Sequence, residues 1–260
     1  MLVNGLTLLV TSYDSLRFLS EFTDWLGSAH DLCDEVVVVD DVSSDGTYEA
    51  LLCQARELPN MKVLRTLNNS GRPAVPRNIG LSAANYSRVV FCDIDDILPL
   101  AYLRFLSTKS ASQDLYSGVK VSTSVPQSVT YYDSDFGELS RLGWDAVEFK
   151  NVITLSGASA PTALARKIKF VNEPLEDWLF WRAYRHSYSA NSALVRLRDV
   201  PVGYWAEQTL SPRKSVQLSR VYSILGARRI LLYFSILLVM KLEEWQLKFR
   251  VRAASKPLPK

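Results

Sequence analysis

The sequence predicts an α/β protein built on a mainly parallel, doubly wound sheet. Short apolar runs typical of buried strands alternate with helical patterns four times in about the first hundred residues. Several of these runs end in acidic or turn-forming residues, at the edge where open α/β sheets bind ligands. The chain has 260 residues, 48% of them hydrophobic, which is enough for one sizeable core.

The regular alternation lies in the first half of the chain. Strands are predicted at residues 6–10, 36–39, 61–66 and from 89, and helices at 15–26, 47–58 and 76–86. The second half is less regular. Strands are predicted there at 115–123, 129–132, 162–166 and 193–202, and helices at 144–149 and 176–184.

Three carboxylates, Asp93, Asp95 and Asp96, follow the fourth predicted strand. Carboxylates this close repel one another, and burying them ionised is unfavourable unless a counter-charge is present. Mg²⁺ and Mn²⁺ prefer such oxygen ligands. The cluster therefore indicates a metal site, with a solvated acidic turn as the alternative.

Charge divides the chain into a body and a tail. Residues 1–212 carry 19 Lys and Arg against 25 Asp and Glu, a net −6, whereas residues 213–260 carry 11 against 2, a net +9. We therefore expect a domain at 1–212 and a basic, amphipathic helical tail at 213–260.

The tail contains an apolar run at 230–240, interrupted only by Ser235. A bilayer span needs about 20 residues, so the run predicts a helix in the interface of an anionic membrane. An oligomer or core helix is the alternative. The acidic body favours a membrane over nucleic acid as the partner.

The three cysteines, Cys33, Cys53 and Cys92, are widely spaced and form no CxxC pair. This usage predicts reduced, buried thiols and a cytosolic location.

Four motifs together resemble those of the family-two glycosyltransferases. They are VVVVDDVSSDGT at 36–47, GRPAVPRNIG at 71–80, VVFCDIDD at 89–96 and LEDW at 175–178, and the resemblance covers about residues 5–212. It implies the GT-A fold, a Rossmann-like mixed sheet flanked by helices.

The resemblance also implies a site for a nucleotide sugar. In such enzymes the nucleobase and ribose lie where this chain has Thr11, Tyr13 and Asp41, with Asp40 beside them. An aspartate facing a base accepts a hydrogen bond from a ring N–H, which suits uracil. A UDP-sugar is therefore the preferred donor.

Further positions follow from the second and third motifs. Arg77 matches an arginine that could pair with the diphosphate. Asp95 matches the metal ligand of the Asp-X-Asp motif, for Mn²⁺ or Mg²⁺. Asp93 would contact ribose or metal-bound water, and Asp96 would help shape the sugar site.

The LEDW motif corresponds to the acceptor side of the family's site. Asp177 aligns with the catalytic base, and Glu176 could orient the acceptor. Trp178, together with Trp144 and Trp181, could form a sugar-stacking platform, with a core role as the alternative. Relatives often carry a basic residue after the last strand, and Gln208 or Arg213 could replace it here.

The expected function is an inverting, metal-dependent glycosyltransferase that acts on a glycan or lipid-linked oligosaccharide in envelope, capsule or exopolysaccharide synthesis. We expect it to be cytoplasmic and peripheral at the inner face of the cell membrane. A non-catalytic nucleotide-binding scaffold is one alternative. A nucleotidyltransferase is another, although residues 11–18 lack the glycine-rich loop typical of that class.

Overall fold

A computed structural model of the chain describes residues 1–123, 144–187, 193–205 and 230–254, together with Val221 and Leu225. Its strands are β1 (Val3–Ser12), β2 (Glu35–Asp40), β3 (Met61–Arg65), β4 (Tyr86–Asp93), β5 (Asp96–Ile97), β6 (Leu115–Thr123), β7 (Ser159–Pro161) and β8 (Leu194–Trp205). Its helices are α1 (Leu19–Ala29), α2 (Thr47–Glu57), α3 (Ala74–Ala83), α4 (Leu100–Ser107), α5 (Trp144–Val147), α6 (Thr162–Ile168), α7 (Glu176–Ser187) and α8 (Ile230–Ala254).

Within the described ranges, the strands form one mixed sheet in the order β3-β2-β1-β4-β7-β6-β8-β5. The first four strands of the chain are parallel, as predicted from their alternation with helices. β7 is antiparallel to both β4 and β6, whereas β6 and β8 are parallel. The predicted mixed, mainly parallel sheet is thus confirmed.

The register of the parallel strands brings polar residues together at one edge. Thr11 at the end of β1 lies opposite Asp93 at the end of β4, and Ser12 lies opposite Asp40 at the end of β2. This is the carboxyl edge, at which ligands bind in open α/β sheets.

Alternate residues of the central strands face two different core layers. Leu8 of β1 packs in the layer that contains Trp25 of α1, whereas Leu9 packs in the layer that contains Phe91 and the helix α7. This two-residue period follows from the pleat of a strand.

The cysteines were predicted to be buried thiols. Cys33 and Cys92 are buried in the core, but the prediction is wrong for Cys53, which is exposed on α2.

Aromatic packing fixes α7 against the sheet. Trp178, Phe180, Trp181 and Tyr184 are buried, and the ring centroids of Phe91 and Phe180 lie 6.3 Å apart at an edge-on angle. Such pairs add about 0.5–1.5 kcal/mol to the effect of area burial. The N-terminus of α7 therefore has a well-defined position.

The strand predicted at residues 162–166 is wrong, because these residues belong to helix α6. The strand is β7 instead, which ends at Pro161. The following residues include Ala, Leu, Arg and Lys, which favour helices over strands. Helix α4 was not predicted, and the strand predicted at 129–132 lies outside the described residues.

Helix α8 packs on the body of the protein through one side. Tyr233 and Leu247 are buried, and Lys150 Nζ donates to Tyr233 Oη at 3.0 Å. Among the described helices, none combines the length and the apolar character needed to cross a bilayer. The domain boundary at 212 stays a prediction.

Candidate active site

Two adjoining cavities open at the carboxyl edge of the sheet, with volumes of about 490 and 550 Å³. Their walls share Arg77 and Asp93, together with the loop residues Gly71, Arg72 and Pro73. We call them the first and the second cavity. The shared wall makes them two compartments of one cleft.

The first cavity gathers six of the predicted site residues, although they come from distant parts of the sequence. These are Thr11, Tyr13, Asp41, Arg77, Asp93 and Asp95. The Tyr13 side chain is 52% exposed and lies at the cavity wall. A flat aromatic ring in that position offers a stacking surface for a base.

Asp41 attaches the loop after β3 to the first cavity. Its carboxylate accepts hydrogen bonds from Thr66 Oγ1 at 2.8 Å and from Ser70 Oγ at 2.8 Å and Ser70 N at 3.0 Å. Gly71 follows with φ at 70°, a left-handed conformation that favours glycine. Asp41 therefore shapes the cavity as well as lining it.

Asp40 has a different environment from its neighbour. It is fully buried and accepts from Ser43 N at 3.0 Å and from Ser43 Oγ, and it pairs with Arg65 Nε at 3.2 Å. It lines neither cavity. Its contacts stabilise the loop between β2 and α2 and do not support the predicted nucleotide contact.

The three clustered carboxylates offer one oxygen each within 4.8 Å of one another. Asp95 lines the first cavity, whereas Asp96 is fully buried and its backbone pairs with β8. Asp93 Oδ1 accepts hydrogen bonds from Thr11 Oγ1 and Arg77, each at 3.0 Å. An all-oxygen set of this kind fits Mg²⁺ or Mn²⁺.

Arg77 connects the two cavities. Its guanidinium is 3.0 Å from Asp93 Oδ1 on one side and 3.1 Å from Glu176 Oε1 on the other. It also lies over the Phe170 ring, 5.5 Å from the centroid. Burial raises the pKa of Glu176 and Asp177 adds to this effect, whereas Arg77 opposes it.

Glu176 and Asp177 begin helix α7 and both line the second cavity. Asp177 Oδ1 accepts from Trp178 N at 2.8 Å, and Asp177 Oδ2 accepts from Asn151 Nδ2 at 2.7 Å. Burial raises the pKa of the Asp177 carboxyl, and Arg77 partly offsets this. An aspartate with a raised pKa, held by two donors in a cleft, is suited to general-base chemistry.

Asn151 is a site residue that sequence reasoning missed. Its Oδ1 accepts from Ile153 N at 3.3 Å, which directs its Nδ2 toward Asp177. Asn151 lies in an irregular segment ahead of β7 and belongs to none of the four motifs, so the sequence carried no signal for it.

Trp178 lies in the core and lines neither cavity. It is 1% exposed, and its Nε1 donates to Val147 O at 2.6 Å. Trp144 stacks on Tyr184 and Trp181 is fully buried. These tryptophans therefore have a core role, which was the alternative to a sugar-stacking platform. Gln208 and Arg213 lie outside the described residues.

Three non-glycine residues beside the cleft have positive φ angles, Asp14 at 43°, Val42 at 62° and Leu175 at 64°. Such conformations are unfavourable by about 1–2 kcal/mol each for L-residues. They cluster at functional sites, where the surrounding contacts hold them. Leu175 directly precedes Glu176, so the strained residue sets where α7 and its carboxylates begin.

The sequence profile of glycosyl transferase family 2 matches residues 7–123. Residues 7–123 are therefore similar to this family, over slightly less than half of the chain. The matched segment runs from β1 to β6, and it includes Arg77 and the Asp93–Asp96 cluster but not Asp177. The profile match thus includes residues of the first cavity, whereas Glu176 and Asp177 of the second cavity lie outside it.

A curated relative is poly(ribitol-phosphate) beta-N-acetylglucosaminyltransferase TarS of Staphylococcus aureus strain Mu50, 36% identical over 95 residues. The match covers 35% of this chain and 16% of TarS. The chain thus spans under a fifth of the length of that relative.

Solved structures extend the likeness to most of the fold. S. aureus TarS 1–349 superposes with a TM-score of 0.62 at 23% identity, covering 88% of this chain and 70% of that one. TarS 1–349 in complex with UDP-GlcNAc superposes with a TM-score of 0.61 at 22% identity, and the match covers 89% of this chain and 71% of that one. This likeness confirms the predicted GT-A fold.

Proposed function

We propose that the chain is an inverting glycosyltransferase that moves a sugar from a UDP-sugar to a hydroxyl group of a glycan acceptor. The observation that carries the proposal is the position of Asp177 across the cleft's shared wall from the acidic cluster. The match of residues 7–123 to the family-2 profile supports it, as does the fold shared with TarS, which has been solved with UDP-GlcNAc.

The first cavity would hold the donor's nucleotide. Tyr13 offers a ring face, and Asp41 retains acceptor capacity because a carboxylate has about four lone-pair sites. Arg77 faces the same cavity with a buried positive charge suited to a diphosphate.

The acidic cluster would hold the divalent ion. Asp95 is the main ligand in this proposal, with Asp93 and Asp96 beside it. When bound, Mn²⁺ or Mg²⁺ would supply Lewis-acid stabilisation of charge on the departing diphosphate.

Asp177 would act as general base in the second cavity. The acceptor hydroxyl gives its proton to Asp177 while its oxygen bonds to the sugar's C1. The bond from C1 to the diphosphate oxygen breaks, and both of its electrons leave with UDP. Attack from the face opposite the leaving group inverts the anomeric centre. Glu176, held by Arg77, would orient the acceptor.

We further propose that the acceptor is a glycan or lipid-linked oligosaccharide of the cell envelope, capsule or exopolysaccharide. TarS, whose name specifies a poly(ribitol-phosphate) acceptor, supports this class. The basic tail supports a peripheral location at the inner face of the cell membrane. Homo-oligomerisation through the tail is the competing arrangement.

The proposal is tested by incubating the chain with a panel of nucleotide sugars and Mn²⁺ or Mg²⁺ and measuring release of nucleoside diphosphate. We expect release with a UDP-sugar, loss on chelation, and loss in Asp95→Ala but not in the control Asp31→Ala, whose side chain is 83% exposed. Donor binding without release would favour the scaffold alternative. No release with any donor, together with unchanged donor binding in Asp95→Ala, would refute the proposal that the chain is a glycosyltransferase.

Asn151 provides a prediction about pH. Asp177 must be ionised to accept a proton, and its raised pKa places the loss of kcat/KM on acidification above the ordinary aspartate range. Asn151 donates to the ionised form, so Asn151→Ala should raise that pKa further and move the acidic limb to higher pH. We expect kcat to fall while the donor KM stays unchanged.

The control for this prediction is Asn172→Ala, which removes an exposed amide that donates to Ser70 O. Its pH profile should match that of the wild type. An acidic limb that does not move in Asn151→Ala would show that Asn151 does not position the base.

A further inference from the structure

Helix α8 has two apolar faces. The inner face packs on the body through Tyr233, Ile236, Leu237 and Met240, and Leu247 continues it. The outer face carries Phe234, Leu238 and Leu242, which are 50%, 63% and 53% exposed. We call these three residues the outer stripe.

The outer stripe follows helical geometry. Its members are four residues apart, so they lie on one side of the helix, and Trp245, which is 65% exposed, falls on the same side. A helix on the surface of a globular protein normally has a single apolar stripe, which faces the core. Packing on the body accounts for the inner face and leaves the outer stripe in solvent.

The positive charge of residues 213–260 favours an anionic surface as the partner of the outer stripe. Residues 213–260 carry 11 Lys and Arg against 2 Asp and Glu. Lys241, with a side chain 65% exposed, lies beside the stripe and pairs with Glu244 Oε2 at 2.7 Å, so the positive charge in excess comes from the rest of the segment. A second copy would bring two segments of net +9 together, whereas an anionic lipid surface would neutralise them and bury the apolar side chains.

Met240 links this helix to the candidate active site. It lines the second cavity, together with Glu176 and Asp177. Met240 and Leu238 are two residues apart and therefore project to different sides of α8. One helix thus forms part of the wall of the second cavity and presents the outer stripe to solvent.

We propose that the outer stripe of α8 docks on an anionic phospholipid surface, and that Met240 on the inner face contacts an acceptor carried by that membrane. The docking part is independent of any activity. The acceptor part rests on the proposed function. Together they specify a lipid-linked acceptor, reached while the protein lies on the bilayer.

Docking is tested with the full chain by sedimentation with vesicles of phosphatidylglycerol and, separately, of phosphatidylcholine. We expect binding to phosphatidylglycerol vesicles that weakens as salt is added. The triple variant Phe234→Asn, Leu238→Asn, Leu242→Asn should bind about tenfold less tightly or weaker still, since the apolar anchor is lost. The control Leu52→Asn changes a residue on α2 that is 37% exposed, and it should bind like the wild type.

If the triple variant bound phosphatidylglycerol vesicles as tightly as the wild type, that result would overturn the docking proposal. So would a failure of the wild type to bind phosphatidylglycerol, or a concentration-dependent dimer that the triple variant abolishes. Because these substitutions are in solvent, circular dichroism should match the wild type. That comparison separates loss of docking from loss of folding.

The acceptor part is tested with Met240→Ala. We expect a higher KM for a lipid-linked acceptor, an unchanged KM for the donor, and vesicle binding equal to that of the wild type. An unchanged acceptor KM would overturn this part. If no donor turns over, the proposed function fails, while the vesicle result still decides the docking proposal.

Discussion

Asp177→Asn is expected to lower kcat by about 10²- to 10⁴-fold, the range that a positioned general base contributes. The variant keeps a group that accepts from Trp178 N but cannot take the acceptor's proton. Donor affinity should stay close to that of the wild type, because Asp177 lines the second cavity and not the first. Turnover and isothermal titration with the donor would measure the two effects.

Asp145→Asn serves as the matched control, because its carboxylate is 94% exposed and lies outside both cavities. It should leave turnover unchanged. If Asp177→Asn retained more than half of the wild-type kcat, proton abstraction by this residue would be excluded.

Arg77→Met is expected to weaken both the fold and the donor site. The guanidinium is buried and pairs with Asp93 and Glu176, so its removal leaves two carboxylates without their shared partner. Breaking a buried ion pair from one side destabilises a protein by about 3 kcal/mol or more. Denaturant unfolding would measure the stability, and donor titration under native conditions would show a higher Kd for the UDP-sugar.

Arg185→Met is the comparison for stability. Arg185 also bridges two carboxylates, but Asp145 is 94% exposed and Glu148 keeps its pair with Arg182, so we expect a loss of about 1 kcal/mol or less. Arg77→Lys should keep only part of the stability and donor affinity that Arg77→Met loses, because an ammonium cannot reproduce a two-armed guanidinium contact. Equal stability of the two Met variants would show that Arg77 is not a structural bridge.

The acidic side of the first cavity could be predicted from local patterns, whereas Thr11, Tyr13 and Arg77 were expected only from the resemblance to family-two glycosyltransferases. The apolar runs before Asp40 and Asp93 marked buried strands, and parallel strands bring their carboxyl ends to one edge. Thr11 and Asp93 are 82 residues apart, yet their proximity follows from strand order alone. The error at 162–166 arose where no motif constrained a short alternating run.

The sequence by itself determined the alternation of strand and helix, the carboxylates at the strand ends and the charge of the tail. Each of these is a local property of the chain. Only the tertiary structure decided that Arg77 joins Asp93 to Glu176, that Asn151 holds Asp177, and that Trp178 is core. These depend on contacts between segments distant in sequence, and packing geometry rather than local pattern selects them. The same holds for α8, whose two apolar faces became distinguishable only once one of them was seen to pack on the body.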